Sequence, residues 1–412
     1  MERTIVGIDV GTTKVCALVG ESGPGGDVRI VGVGASPSRG IRRGVVVNVS
    51  EATEAISAAV EKAERSSGYQ IARAFVSLAG THVSAVNSRG VVAVQHGEQG
   101  ITADDVERAL DAARAIAIPN DREVLHVIPR GFTVDGQDGV RDPISMIGFK
   151  LEVESHIVTG ATSSVHNLLK CIEGAHVEVD ALVLNSIASG EAVLTESEKE
   201  MGVVLADIGG GTTDIAIFIE GSLWHTAILG VGGSHITNDV AICLRLPADA
   251  SERIKIDHGH ARHQTIDPVD TIDVNSFDEG SKVRIARRDL AEIIEARAEE
   301  IFRMIVQEVK RSGYDGLLPA GLVITGGTAQ LRGLKDLGRQ MMEMPVRVGG
   351  PHDLVGLVDQ ISTPAHATAV GLLKWGDQRG EALARRKRSR TPGFGERMRS
   401  LFRNLLPDRG GT

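Results

Sequence analysis

The alternation of apolar and polar positions divides the chain into two similar halves. Val6-Gly7-Ile8-Asp9-Val10-Gly11-Thr12-Thr13-Lys14-Val15 and Val204-Leu205-Ala206-Asp207-Ile208-Gly209-Gly210-Gly211-Thr212-Thr213-Asp214-Ile215 each read as an apolar strand, an Asp, a glycine-rich turn with paired Thr, and a second strand. Each predicts a β-hairpin with its polar groups at the tip. A separation of about two hundred residues is too long for a solenoid repeat and suits a duplicated domain.

Between the hairpins, helical periodicity covers 49–66, with Ser50 as the candidate N-cap, and 161–173, while 74–78 and 179–184 read as strands. This is α/β alternation. Residues 83–160 differ: strand-like pieces at 90–95, 123–134 and 151–158, one helix from Thr102, and turn-rich sequence around 136–143 predict a small α+β module inserted into the first half. After the second hairpin, 256–281 is polar and aperiodic, as expected of a peripheral subdomain. A long amphipathic helix follows over 288–311, then a buried strand ending in Thr325-Gly326-Gly327 and a helix over 334–342; the folded part is expected to end near Trp375.

A length of 412 residues suits two to three domains with a core large enough to need no staples. Cys16, Cys171 and Cys243 are odd in number and far apart, which predicts reduced thiols rather than disulfides or a thiolate zinc site. No apolar run approaches the roughly 18 residues needed to cross a bilayer, and Asp9 interrupts the first apolar stretch, so neither a span nor a signal peptide is expected. Net charge is −9, but residues 376–412 hold ten Arg/Lys against four Asp/Glu, so the tail is at +6 and the remainder at −15. An acidic body poor in aromatics does not suit nucleic-acid backbones, and no nucleic-acid partner is expected.

Two glycine-rich tips, each headed by an Asp, can clasp a polyphosphate from opposite sides. Gly11, Gly209, Gly210 and Gly211 let backbone N–H groups approach the oxygens, and Thr12, Thr13, Lys14, Thr212 and Thr213 add donors. Asp9 and Asp207 suit Mg²⁺, which prefers oxygen ligands and keeps most of its waters, and Asp214 is a candidate for positioning water or metal. Gly326 and Gly327 form a third turn on which a purine or ribose can lie. The P-loop pattern and a clean dinucleotide fingerprint are both absent.

The ordered set Asp9-x-Gly11-Thr12-Thr13-Lys14, Asp207-x-Gly209-Gly210-Gly211-Thr212-Thr213-Asp214 and Thr325-Gly326-Gly327 resembles the actin, Hsp70 and sugar-kinase superfamily. Within it the chain resembles the bacterial FtsA family over about 4–375, through Ser38-Arg39-Gly40-Ile41, Gly44-Val45-Val46, Ser155-His156-Ile157-Val158-Thr159, Leu194-Thr195-Glu196, 292–297 and Ala369-Val370-Gly371-Leu372-Leu373. The resemblance implies an α/β, actin-like duplicated fold. Its first actin-like subdomain would take 1–82, 161–196 and 345–375, the inserted module 83–160, the second 197–242 and 291–344, and an outer subdomain 243–290. It further implies ATP and Mg²⁺ as cofactors, with Glu295 and Arg297 against ribose or base. Self-association into head-to-tail filaments, binding of the FtsZ tail by the outer subdomain, and recruitment of later division proteins through the inserted module are implied too. The location would be the cytoplasmic side of the inner membrane, at the septum.

One departure bears on chemistry. Where superfamily ATPases place a Glu or Gln to orient water, this chain has Asn185, whose amide can hold a water but cannot accept its proton, so at most slow ATP hydrolysis is expected. The tail carries a separate signal. Phe394, Met398, Leu401, Phe402, Leu405 and Leu406 fall on one helical stripe with Arg397, Arg399 and Arg403 on or beside the other face, which predicts an interfacial membrane helix over 393–407 behind a basic linker at 376–392. A soluble small-molecule kinase of the same superfamily is the alternative, and it has no use for such a tail. His258, His260 and His263 have metal-like spacing but sit in a polar turn without convergent acids, which reads as a solvent-exposed cluster.

Overall fold

The computed structural model describes residues 3–23, 28–277 and 282–389. The first half opens with strands β1 (Arg3–Val10), β2 (Lys14–Ser22) and β3 (Val28–Pro37), a short hairpin of β4 (Ile41–Arg42) and β5 (Val45–Val46), helix α1 (Val49–Ser67) and β6 (Arg73–Leu78). The inserted module contributes β7 (Ser84–Ala93), α2 (Ala103–Arg114), β8 (Arg122–Val134), β9 (Gln137–Val140) and β10 (Lys150–Ala161). The chain returns through α3 (Thr162–Gly174), β11 (Glu178–Leu184) and α4 (Asn185–Val193).

The second half runs α5 (Glu196–Met201), β12 (Val203–Ile208), β13 (Thr213–Ile219), β14 (Ser222–Leu229), α6 (Gly233–Leu244), α7 (Ala248–His258), β15 (Thr271–Asn275), β16 (Lys282–Ala286), α8 (Arg287–Ser312), β17 (Leu322–Thr325), α9 (Leu334–Met342) and β18 (Val346–Val348). Then β19 (Val355–Gly356) rejoins the first half and α10 (Ala367–Ser389) closes the described chain.

Each half is built on a mixed sheet with the same antiparallel meander and a parallel neighbour. The orders are β11-β6-β1-β2-β3-β19 and β14-β13-β12-β17-β18, with β1 beside β6 and β12 beside β17 in parallel. The first two strands of each meander, β1 and β2, β12 and β13, are buried on both faces, which is why they read as near-continuous apolar runs rather than as alternation. The module has its own four-stranded sheet, β7-β10-β8-β9, and its own small core of Ile101, Ala109, Ala113, Phe132, Leu151 and Val153.

Several helices follow from their sequence spacing. In α1, Ala52, Ala55, Ile56, Ala59, Val60 and Ala63 form one buried stripe. Its cap is Asn48, which accepts from the Glu51 amide, and not Ser50, which is the second residue of the helix. The helix expected from Thr102 is α2, and Thr102 and Asp105 form a reciprocal capping box at its start. The polar stretch 256–281, read as aperiodic, holds the end of α7 and strand β15, whose partner β16 follows it.

Two helices join the halves. α4 and α10 cross so closely that a Cβ on Gly371 would sit 1.7 Å from the Ala188 carbonyl oxygen, so only glycine fits there. Around that crossing Val370, Leu372 and Leu373 share one core with Leu18 of the first sheet and Leu205 and Phe218 of the second. Two boundaries differ from the sequence reading. Val346–Val348 pairs with β17, so the chain crosses back after Val348 rather than at 345. α10 continues to Ser389, so most of the stretch read as a polar linker is helical. The interfacial stripe from Phe394 to Leu406 lies outside the described residues. No helix among the described residues is long and apolar enough to cross a membrane.

His156, on β10, is only 2% exposed and bridges Asn87 Oδ1 at 2.7 Å and Thr226 Oγ1 at 2.9 Å. Burial, with His225 and Arg130 nearby, pushes its pKa down to about 3. The unfolded chain therefore takes up a proton that the folded chain refuses as pH falls from about 6.5, and stability is lost progressively across that window toward pH 3. Chemical denaturation of wild type and His156→Gln from pH 7.5 to 5 should show the wild type losing up to about 1 kcal/mol more per pH unit below 6.5; parallel slopes would remove His156 as the cause.

Candidate functional site

The two hairpin tips meet face to face at the centre of the molecule. In the first, the Gly11 amide donates to the Lys14 carbonyl at 3.0 Å, and in the second the Gly209 amide donates to the Thr212 carbonyl at 2.9 Å. A Cβ on Gly210 would lie 2.4 Å from Thr13 Cγ2 and one on Gly211 2.6 Å from Thr12 Oγ1, so side chains at these glycines would keep the tips apart. The third turn closes beneath them. Gly326 has φ +85°, and a Cβ there would fall 2.4 Å from Asp207 Oδ1. Thr328 Oγ1 donates to the Gly209 carbonyl at 2.9 Å, and Lys14 Nζ to the Ala365 carbonyl at 2.9 Å.

The tips enclose a cavity of about 190 Å³ lined by Asp9, Lys14, Asn185, Asp207 and Asp214 together with Gly11, Thr12, Thr13, Gly209, Gly210, Gly211, Thr212, Gly326 and Gly327. Three carboxylates share this small buried space. Ser77 Oγ donates to Asp9 Oδ1 at 2.9 Å, Thr368 Oγ1 to Asp207 Oδ2 at 3.0 Å, and Thr212 Oγ1 to Asp214 Oδ2 at 3.0 Å. Burial raises the pKa of all three. Asp207 is pushed up to about 6 by burial and then by the charge of Asp9, and Asp214 goes well above the usual carboxylate range through burial and then Asp207. For Asp9, burial outweighs the opposing pull of Lys14 and Ser77.

Whether a hydrated cation fits can be read from atoms left without partners. Asp214 Oδ1 and Asn185 Oδ1 are buried with no hydrogen bond among the described residues, and both line the cavity. Hard oxygen acceptors, excess negative charge and room for water suit Mg²⁺. No group of three His, Cys, Asp or Glu side chains among the described residues converges closely enough to cage a metal by itself. A cation here would be held largely through water and phosphate.

An adjoining cavity of about 310 Å³ shares Thr13, Gly210 and Gly327 with the first, so the two form one continuous cleft. Its far wall is Gly233, Ser234, Glu252, Lys255 and Ile256. Lys255 Nζ is held by Glu252 at 2.7 Å, Thr237 Oγ1 at 2.9 Å and the Gly233 carbonyl at 3.2 Å. Glu252 and Lys255 were not anticipated from sequence; the only signal for them is a charged pair three residues apart on a short helix, without a glycine motif. Glu295 and Arg297, expected against the ligand, line neither cavity. Glu295 accepts from the His263 backbone and meets its ring at 2.6 Å, while Arg297 makes a bidentate contact with Asp239. Thr213 is buried and donates to the Val231 carbonyl at 2.8 Å, bracing the tip from behind.

Comparison with known proteins identifies the lineage. The sequence model described as Cell division protein FtsA matches residues 204–371, and one described as the SHS2 domain inserted in FTSA matches 80–159, the inserted module. Cell division protein FtsA of Pseudomonas aeruginosa is 44% identical over 377 residues, covering 92% of this chain and 90% of that protein. The chain belongs to the FtsA family. The FtsA of Escherichia coli K12 is 35% identical over 383 residues, covering 91% of each.

Solved structures show that the FtsA-family fold seen here is actin-like. The PilM–PilN type IV pilus biogenesis complex superposes with TM-score 0.66 at 15% identity, covering 90% of this chain and 98% of that one. MreB 5 of Spiroplasma citri bound to AMPPNP superposes with TM-score 0.56 at 12% identity, covering 93% and 99%.

The electrostatics of the cleft have a measurable consequence. Asp207→Asn removes one of three buried like charges while keeping an acceptor for Thr368, so in metal-free buffer at neutral pH the variant should be more stable than wild type by on the order of 1–2 kcal/mol. Calorimetry with and without Mg²⁺ should also show a smaller Mg²⁺-induced gain for the variant. A variant that melts below wild type without metal would contradict mutual repulsion among these groups.

Proposed function

We propose that this FtsA-family chain binds ATP with Mg²⁺ in the continuous cleft between its halves and works as a filament-forming adaptor of cell division at the membrane. The observation that carries the reading is the meeting of the two hairpin tips around Asp9, Asp207 and Asp214, with a larger cavity opening beside them toward Lys255. The tips and Lys14 suit the phosphates. The shared wall at Gly327 and the α7 face suit ribose and base. Bound there, Mg²⁺ supplies charge neutralisation of the phosphates. Asn185 orients water without accepting its proton, so turnover is slow and the nucleotide acts as a conformational and assembly ligand.

Head-to-tail self-association, attachment through 394–406 to the inner face of the cytoplasmic membrane, capture of the FtsZ tail by the outer subdomain, and recruitment through the inserted module complete the proposal. They rest on family membership and on the helical spacing of Phe394, Met398, Leu401, Phe402, Leu405 and Leu406, with Arg397, Arg399 and Arg403 on or beside the other face. One interfacial helix binds lipid weakly, so assembly strengthens attachment by multiplying helices on one surface.

Nucleotide affinity separates residues that line the cleft from those that do not. Lys255→Ala should weaken ATP binding roughly tenfold, about 1.4 kcal/mol, whereas Glu295→Gln should leave it within about twofold; the reverse order would return the base site to α8. Co-sedimentation with anionic liposomes tests the adaptor reading. The full chain should pellet more with ATP and Mg²⁺ than without, and a chain ending at Ser389, which keeps α10 whole, should stay in the supernatant. Pelleting that survives the truncation would sink the tail's role.

A further inference from the structure

The inserted module touches both halves of the molecule. It is covalently continuous with the first half through β6 and α3, and its β7, β8 and β10 pack against β14, the edge strand of the second half. Contact between the module and β14 is built from unusual parts. In a chain only 3% aromatic, Trp224 on β14 and Tyr314 after α8 stack edge-on with centroids 5.4 Å apart. The Arg130 guanidinium of β8 lies 4.2 Å from the Trp224 ring and 5.5 Å from that of Tyr314.

Backbone irregularities aim these side chains. Ile217 pairs with His225 and Phe218 with Leu223, so Trp224 is the extra residue of a β-bulge on β14. Opposite β10 the bulges lie on β8: Arg130 is the extra residue between Gly131 and Pro129, which face Glu154 and Ser155, and Leu125 the extra one between His126 and Val124, which face Val158 and Thr159; between them His156 reaches Thr226 of β14 at 2.9 Å. Next to it His225 bonds Glu308 of α8 at 2.7 Å.

At β14 the joint is held by directional contacts, while an ion pair that links the module to the second half, Arg141 with Glu200 of α5, is exposed to solvent. The Arg130 side chain is 9% exposed, its nearest carboxylate, Glu154, is 3.8 Å away and 60% exposed, and Arg130 Nε, Trp224 Nε1 and Ser155 Oγ are buried without a hydrogen-bond partner among the described residues. Such a seat is favourable only in register. A cation over an aromatic face loses its attraction within a few ångströms, and a buried guanidinium cannot slide to a new carboxylate here.

β14 is also the strand through which the cleft would act. It pairs with β13, Asp214 opposite Ile228 and Ala216 opposite Thr226, so the residue that holds His156 sits two positions along the ladder from the cleft carboxylate. We propose that the inserted module is the element that reads cleft closure. Movement of the Asp207–Asp214 hairpin passes along β13–β14 to Trp224 and Thr226, and Arg130 and His156 carry the module with it relative to the first half. This rests on the nucleotide-binding reading above, and it assigns to the module's orientation, rather than to its mere presence, the role of reporting the cleft's state.

Hydrogen exchange on the full chain, with and without AMPPNP and Mg²⁺, tests this, beside equilibrium dialysis with labelled ATP as an independent measure of binding. In the native protein, exchange in 207–214 should slow, and exchange in 84–93 and 150–161 should change with it by at least about threefold. In Arg130→Ala the response of 207–214 and the ATP affinity, within twofold, should persist while the module's response is lost. Should Arg130→Ala fail to fold, Trp224→Phe keeps a ring but weakens the cation seat and should reduce the module's response. A native module indifferent to AMPPNP while 207–214 becomes protected, or a variant that responds as the native does, overturns the proposal and leaves nucleotide binding standing. Absence of ATP binding in dialysis fails the binding reading itself, and the coupling with it.

Discussion

Three carboxylates buried in one small cleft set the terms for the rest of this molecule. Each of Asp9, Asp207 and Asp214 loses water on burial; Asp9 further raises the cost of ionising Asp207, and both raise that of Asp214. Lys14 is the one cation lining that inner cavity among the described residues, and it is directed to the Ala365 carbonyl. A fold that keeps such a cluster has to hold it rigidly, and both hairpins are accordingly fixed from behind. Val10 donates to Ser77, which donates to Asp9; Thr213 is tied to Val231; Thr328 is tied to Gly209. In the proposed reading a cation and an anionic ligand would complete the arrangement, which is how preorganised sites favour a bound state over a free one.

Rigidity within each half contrasts with the way the halves are joined. α4 begins at Asn185, in the cleft, and crosses α10 at Ala188 and Gly371, where the backbones touch. A contact that close tolerates rotation about the crossing better than separation, because no side chain stands between the helices to be repacked. The same crossing places Asn185 beside Asp207 and Asp214 while its helix packs on β12 and β13. Any change in the angle at this crossing would therefore also move Asn185 within the cleft.

Much of this was legible in sequence because it depends on local rules. Glycine-dense tips between continuous apolar strands specify the hairpins, and the change from α/β alternation to strand-rich, turn-rich sequence marks the module at 83–160, against strands observed from Ser84 to Ala161. What was missed depends on which face of a helix turns where. Glu295 and Arg297 sit on a helix with one long apolar stripe, and periodicity fixes the buried face without saying which partner the flanking charges meet; tertiary contact gives them His263 and Asp239. Glu252 and Lys255 reach the cleft because α7 packs under α6, a placement with no local signature. The boundary at 345 failed because a three-residue strand is too short to show a period. The Ser50 cap failed because Asn48 offers the same chemistry two positions earlier.

The joint at Arg130 was invisible to sequence for another reason: it is assembled from bulges. A β-bulge leaves no compositional mark, yet one turns Trp224 out of the β13–β14 ladder and another takes Arg130 out of the β8–β10 ladder. Aromatic rings and an underpaired guanidinium form a poor general-purpose core, since packing apolar side chains there would bury the same area without leaving Arg130 Nε or Trp224 Nε1 unsatisfied. Directional contacts of this kind do something that apolar packing does not. They have a steep optimum in one relative placement, so they convert a small displacement of an edge strand into a choice between keeping the module in register and releasing it. Beside the crossing of α4 and α10, the module is then a third body tied to both halves, covalently to one and by geometry to the other, so its position follows from theirs.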